Sequence, residues 1–388
     1  MKHYIQLIVL FVCGFGFAQN TNSYEAIDKK MDVIPASMAT STESIADYIV
    51  KNFSTNEEKI RAAFYWTAAN ISYDVANMNN QNPNQTTQEK ITNTLKTRKG
   101  VCMHYAEVFK DIASKMGIEV LLISGYNKDV KGKIAPVSHV WCASKMDGVW
   151  YVFDPTWGAG YVDNQKYVKR LNNNYFKAEP KSFLSSHMPF DYLWQFSEYP
   201  ITNQEFYDGK TEAANKRVKF DFVNEIESYQ GLSVSDKAKA SAVRIEKNGL
   251  KNKLISERLA YEKLRINYES QKDSYAKIQD IVAKFNEANV LFTQFIKYRN
   301  ARFIPLVSDE EIKSKIQVPY DAVSQCQIDI SEIKDVQREN LANFNSLKNA
   351  IADSKKNYEI HLNFVNEYLS KDKVEREKMF VKTTIKRR

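Results

Sequence analysis

Gly100-Val101-Cys102-Met103-His104-Tyr105-Ala106, Ser138-His139-Val140-Trp141 and Phe153-Asp154-Pro155-Thr156-Trp157-Gly158 are the pieces of this sequence on which its reading turns. Helical spacing begins at Cys102, with Val108, Ile112, Ala113 and Met116 as the apolar side and Gly117 as the stop. The apolar runs 120–125, 137–143 and 149–153 read as strands, and Lys145-Met146-Asp147-Gly148 carries the Asp-Gly pair of a hairpin turn. A helix bearing a cysteine is thus followed by antiparallel strands bearing a histidine and an aspartate, an α+β layout.

These residue types at these places suit nucleophilic catalysis. A thiol acts as a nucleophile when its anion is stabilised, and a helix N-terminus supplies part of that field. The backbone N–H of Cys102 would lie in the first turn, unpaired and able to help bind an oxyanion. A base and a group that fixes its tautomer must then come close. Strand parity supplies both. If Asp147-Gly148 is a two-residue turn, Met146 faces Val149, Trp141 faces Asp154, and His139 is the diagonal neighbour of Asp154. If the turn has four residues, Ser144 faces Val149 and His139 stands directly opposite Asp154. Both registers put imidazole and carboxylate on one sheet face, and a one-residue slip would separate them. A lone cysteine in an apolar helix is more often a small core residue, and a strand histidine is often simply packed. The order Cys, His, Asp on a helix and two paired strands is what sets this case apart.

Outward from this stretch, the chain is helical upstream. A polar lead-in over 20–38 precedes Thr40-Ser41-Thr42-Glu43, which has capping-box spacing and opens a helix carrying Ile45, Tyr48 and Ile49. Ser54-Thr55-Asn56-Glu57 repeats the device before a helix from Glu58 to about Asn70, with Ile60, Ala63, Phe64, Thr67 and Ile71 on one side. An Asn/Gln-rich loop over 77–84 leads to Thr86-Thr87-Gln88-Glu89, which caps a short helix ending at Gly100. Downstream, residues 161–200 are aromatic and proline-rich without periodicity, and are expected to wrap the core. Past 210 the composition turns to Lys, Glu, Asn and Gln. Steps of three and four run through Tyr268, Tyr275, Ile278, Val282, Phe285, Asn289, Phe292 and Ile296. They resume through Val323, Cys326, Ile330, Ile333, Phe344, Leu347, Ile351, Tyr358, Leu362, Val365 and Leu369. This predicts a coiled-coil-like seam, broken around 305–319 into an antiparallel helical hairpin, with partner contacts or self-association through 250–370.

With 388 residues, 43% hydrophobic and 26% charged, the chain can bury a core in two domains. The expected division is a signal peptide over 1–18, a catalytic domain over 19–210 and a helical domain over 211–388. A net charge of +8, with both signs interleaved, argues against a nucleic-acid groove. The basic end, Lys382 and Lys386-Arg387-Arg388, reads as a frayed terminus. Lys2-His3, the apolar run 5–12 and a cleavage region near 15–18 read as a signal peptide, which implies export to the periplasm or beyond. Cys13 would suit a lipoprotein, but Val12 precedes it where a small residue is expected. Without Cys13, the three remaining thiols, Cys102, Cys142 and Cys326, cannot all pair with one another. No spacing of zinc type is present, so neither metal nor cofactor is expected.

At Gly100-Val101-Cys102 with Tyr105-Ala106, His139-Val140-Trp141, Trp150-Tyr151 and Asp154-Pro155-Thr156-Trp157-Gly158, the chain resembles the transglutaminase-like superfamily of papain-like cysteine enzymes. Tyr65-Trp66, Asn70-Ile71 and Tyr73-Asp74 extend the likeness upstream. Tyr175-Phe176, Ser186-His187-Met188-Pro189 and Trp194-Gln195 resemble the kyphoscoliosis-peptidase branch. The resemblance implies Cys102 attacking an amide or peptide carbonyl, His139 as base and Asp154 orienting it. Trp66, Tyr105 and Trp157 are the implied oxyanion or supporting residues. Calcium dependence is not implied, since no matching acidic loop is present. The expected substrate is a protein or peptide, including cell-wall peptide, with hydrolysis favoured over amine crosslinking. The alternative is a catalytically silent scaffold acting through its helical region. His104 is expected to point away from the sulfur to a surface or supporting role. Cys142 is expected to be buried facing away from His139, and His187 to be structural within the wrap.

Overall fold

The computed structural model describes residues 24–78, 82, 84–129, 131–210 and 218–380. The expected signal peptide and the basic end lie outside the described residues. Two compact units divide the chain, the first over 1–231 and 241–259, the second over 232–240 and 260–388.

The first unit opens with helices α1 (Glu25–Asp32), α2 (Thr42–Asn52), α3 (Asn56–Asn70) and α4 (Thr87–Thr97). The cysteine-bearing helix α5 runs Cys102–Lys115. Capping chemistry sets the starts: Ser41 with Ser44, Thr55 with Glu58 and Thr86 with Glu89 each exchange reciprocal bonds. The first two boxes sit one residue later than their sequence spacing suggested. Helix α1 replaces part of the expected polar lead-in. It has no side-chain cap, and what orders it is burial of Met31 and Asp28 against α3. There Arg61, fully buried, grips both oxygens of Asp28 at 2.8 and 2.6 Å and reaches Asn173 at 2.8 Å.

Strands β1 (Ser72–Tyr73) and β2 (Lys99–Gly100) form a short parallel pair, Ser72 beside Lys99 and Tyr73 beside Gly100. The main antiparallel sheet contains β3 (Leu121–Asn127), β4 (His139–Met146) and β5 (Val149–Phe153). Next come the one-turn helix α6 (Pro155–Ala159), the hairpin β6 (Gly160–Asp163) and β7 (Lys166–Lys169), helix α7 (Pro180–Phe183) and strand β8 (His187–Pro189). The sheet order is β5-β4-β3-β8, so the segment without periodicity supplies the strand beside β3. Met146 faces Val149, the two-residue register, and Asp147 and Gly148 hold φ of 50° and 83°, as a primed turn requires. One sheet face, with Val140, Cys142 and Phe153, packs on α2, α3 and α5. The other, with Ile123, Trp141, Ala143 and Val152, packs on Phe183, Leu193, Phe196 and Ile226.

The boundary expected at 210 is not where the first unit ends. Helices α8 (Asn203–Tyr207) and α9 (Phe222–Gly231) follow, and Ile226 enters the core. In helix α10 (Val234–Lys247), buried Arg244 grips Asp191 at 2.7 and 2.9 Å and Glu225 at 3.0 Å. The composition shift at 210 falls within the first unit, and the buried Arg244–Asp191 ion pair crosses it.

The second unit corrects the expected hairpin. Helices α11 (Lys253–Asn300), α12 (Asp309–Ser331) and α13 (Leu341–Leu369) precede the short α14 (Lys373–Lys378). One cluster joins Ile281 and Phe285 of α11, Val323, Cys326 and Ile330 of α12, and Ile351 and Tyr358 of α13. Another joins Phe295, Ile312, Ile316, Leu362 and Val365, so the ends alternate as in an up-down-up bundle of three helices. The break is shorter than expected: Ser308 caps α12, and Pro319 lies inside that helix. The buried stripe of α11 runs through Ile281, Phe285, Ala288 and Phe295, while Tyr268 and Tyr275 are exposed. Partner residues on two sides, rather than one, moved the stripe off the two-stranded seam.

Candidate active site

Local sequence builds each part of the site. Asp154 is the N-cap of α6 and Pro155 its first residue, a pairing that satisfies the first helical turn without needing a proline N–H. Its Oδ1 accepts from the backbone N–H of Thr156 at 2.9 Å and of Trp157 at 3.1 Å. Oδ2 faces two imidazoles, His139 Nε2 at 2.7 Å and His187 Nε2 at 3.2 Å. Asp154 and His187 are fully enclosed, and His139 nearly so.

Cys102, half-buried at the first position of α5, comes within hydrogen-bonding reach of His139. His139 gives Nε2 to Asp154, which leaves Nδ1 available to a second partner. Burial on its own would push the His139 imidazole down. The Asp154 carboxylate and the Cys102 sulfur outweigh it and raise the ring to about 10, so the ring is an imidazolium at neutral pH. Asp154, despite its burial, is held well below the usual carboxylate range by His139 and His187. His187 goes the other way: burial lowers it to about 4 against the pull of Asp154, and it is neutral at neutral pH. His139, Asp154 and His187 bring three ligand-type atoms within 4.8 Å. Both Nε2 atoms address the same carboxylate oxygen, which is the arrangement of donors around an anion rather than of ligands around a cation.

The remaining candidates separate. Trp157 walls the cluster, its ring 4.5 Å from His187 and 6.0 Å from His139. Tyr105 is buried and donates to the Ile71 carbonyl at 2.8 Å, tying α5 to the end of α3. Trp66 is buried under the Arg98 guanidinium at 4.7 Å, and its indole nitrogen finds no partner among the described residues. Cys142 is buried and turns to the Ala106 carbonyl at 3.7 Å, away from His139. His104 is partly buried, and its Nδ1 accepts the Val101 N–H at 3.1 Å and closes the start of the cysteine-bearing helix. Tyr73, set beside Gly100 by the short parallel pair, has its hydroxyl pushed up to about 12 by burial and then by the Cys102 and Asp154 charges.

His187 is the site residue whose place sequence reasoning missed. Its Ser-His-Met-Pro motif was visible, but parity cannot place a three-residue strand whose partner strand is unknown. Tyr73 carried no spacing signal, since a two-residue parallel pair leaves none.

Cys102 at a helix start, His139 and buried Asp154 on paired strands thus stand together as a cluster of the residue types that cysteine-nucleophile chemistry uses. Residues 43–155 match the family model of the transglutaminase-like superfamily. Kyphoscoliosis peptidase of Homo sapiens is 22% identical over 287 residues, covering 66% of this chain and 43% of the relative. The Mus musculus kyphoscoliosis peptidase is 23% identical over 277 residues, covering 63% and 40%. The chain thus spans less than half the length of these curated relatives. A solved Cytophaga hutchinsonii protein described as a candidate cysteine protease is 19% identical, with a TM-score of 0.24, over 38% of this chain and 46% of that one.

Proposed function

We propose that this chain is a cysteine-dependent acyl-transfer enzyme acting on amide or peptide carbonyls, exported, and hydrolytic in preference to amine-crosslinking. The observation that carries the reading is the 2.7 Å bond from His139 to Asp154, with Cys102 within hydrogen-bonding reach of the same imidazole. The Cys102 thiolate attacks the carbonyl carbon, forming a C–S bond as the carbonyl pair moves onto oxygen. In this reading the first-turn N–H of Cys102 binds that oxyanion. Collapse breaks the C–N bond, and the His139 imidazolium gives its proton to the leaving amine. Water then attacks the thioester and gives a proton to the now neutral His139. Loss of the thiolate releases the acid and restores the ion pair. Asp154 keeps its charge throughout and holds the ring.

The substrate in this reading is a protein or peptide, with cell-wall peptide among the candidates. The helical unit could present it or recruit a partner through the groove lined by Tyr268, Tyr275, Ile278, Val282, Phe344 and Leu347. The test offers peptide and cell-wall substrates to the wild type and to Cys102→Ala, with and without an added amine, following cleavage, ammonia and amine incorporation together. Cleavage that vanishes in the variant supports the reading. Turnover that survives in Cys102→Ala sinks it, and amine incorporation exceeding cleavage reverses the preference for water.

A further inference from the structure

His187 sits where nothing in a three-residue site requires a fourth member. It is fully buried on β8, stacked on Phe183 at 4.0 Å and edge-on to Trp157 at 4.5 Å. One ring nitrogen faces Asp154 Oδ2 at 3.2 Å, the other Ser186 Oγ at 2.8 Å. Asp154 as a carboxylate only accepts, so Nε2 carries the hydrogen. A neutral ring then leaves Nδ1 as a lone pair, and the Ser186 hydroxyl must be its donor. Every polar atom of the imidazole therefore has a defined role.

We propose that His187 is a positioning residue for the Cys102 site: a neutral imidazole, its tautomer fixed by Ser186, that gives Asp154 Oδ2 a second donor and so pins the carboxylate that orients His139. Only a neutral donor serves here. A lysine or arginine at this place would neutralise the carboxylate and weaken its hold on the His139 imidazolium. An apolar residue would leave the Asp154 charge short of a hydrogen bond in a dry surrounding. This inference rests on the reading of Cys102 as the nucleophile.

The test uses the full chain and iodoacetamide, reading alkylation of Cys102 by mass spectrometry across pH. Cys142 and Cys326 are buried and serve as internal references. His187→Phe keeps the packing and removes the donor. His187→Gln keeps a donating N–H near the same place. The expected result for His187→Phe is alkylation at pH 7 about tenfold slower, as for loss of one hydrogen bond to a charge, with the acid limb of the profile moved to higher pH. His187→Gln should return the limb to the wild-type position. A uniformly slower rate without movement of the limb overturns the proposal, as does a Gln variant no better than Phe. Should the Phe variant fail to fold, Ser186→Ala decides: about threefold slower alkylation with the same displacement is expected, and a profile identical to wild type overturns the assignment. A wild-type chain in which Cys102 reacts no faster than Cys142 removes the nucleophile itself. Fast wild-type reaction with an unaffected His187→Phe removes only the role of His187.

Discussion

His104 Nδ1 accepts the backbone N–H of Val101 at 3.1 Å, so a side chain from the first turn of α5 folds back to close the start of that helix. This is half of a capping box, made by a residue type that performs the task only while its ring nitrogen is unprotonated. His104→Ala should lower stability by about 1 kcal/mol at pH 7.5, the usual worth of a cap. The His104 pKa is lowered, chiefly by burial and then by Lys90. The contribution is therefore present above the unfolded value and is lost as pH falls through the folded one. Urea unfolding of both chains at several pH values should show the gap narrowing in acid. A constant gap would exclude the capping role.

The raised His139 has the opposite sign. Its contribution is complete below the ordinary imidazole value and is lost as pH rises through about 10. Turnover should accordingly fail on the alkaline side near pH 10. Asp154→Asn removes the charge that holds the imidazolium, so kcat should fall by on the order of 10³–10⁴ and the alkaline limb should move to lower pH. A full profile of kcat/KM against pH for both chains checks the two effects together.

The buried Arg61–Asp28 pair fastens α1 to α3. Asp28→Ala leaves a fully buried guanidinium without its carboxylate and should cost roughly 3–5 kcal/mol. Asp28→Leu combined with Arg61→Met should recover most of that loss, because charge desolvation disappears with both partners. Denaturant midpoints of single and double variants measure the coupling, and simple additivity would refute it.

Trp66 offers a sharper test of role. Its indole N–H meets no partner among the described residues, so Trp66→Phe discards a hydrogen bond that is not made. The variant should keep kcat/KM within about twofold of wild type, whereas loss of an oxyanion donor would cost on the order of 10²–10³.

Local rules carried much of this structure. Alternation and an Asp-Gly turn were enough to place Met146 opposite Val149, and from that register His139 and Asp154 share a face. Capping spacing located α2, α3 and α4, off by one residue where Ser and Thr stand side by side and either can cap. Long-range pairing was not legible. The Arg244 bond to Asp191 spans 53 residues, and no local pattern assigns it, so the boundary at 210 was drawn too early. The α11 stripe was misplaced for a related reason, since a helix with two neighbours buries a different set of residues from one with a single neighbour. His187 combines both difficulties, being on a very short strand that pairs with a strand far behind it.

The placement of β8 also sets an order of events in synthesis. Cys102, His139 and Asp154 leave the ribosome before His187, which trails Asp154 by 33 residues. At ordinary elongation rates that interval lasts a few seconds. During it the nascent chain holds Cys102, His139 and Asp154 but lacks the strand beside β3 that carries the second donor to the Asp154 carboxylate. The site is therefore completed late, by the segment that encloses it, and a chain interrupted after residue 160 would contain every reactive group in an unfinished setting.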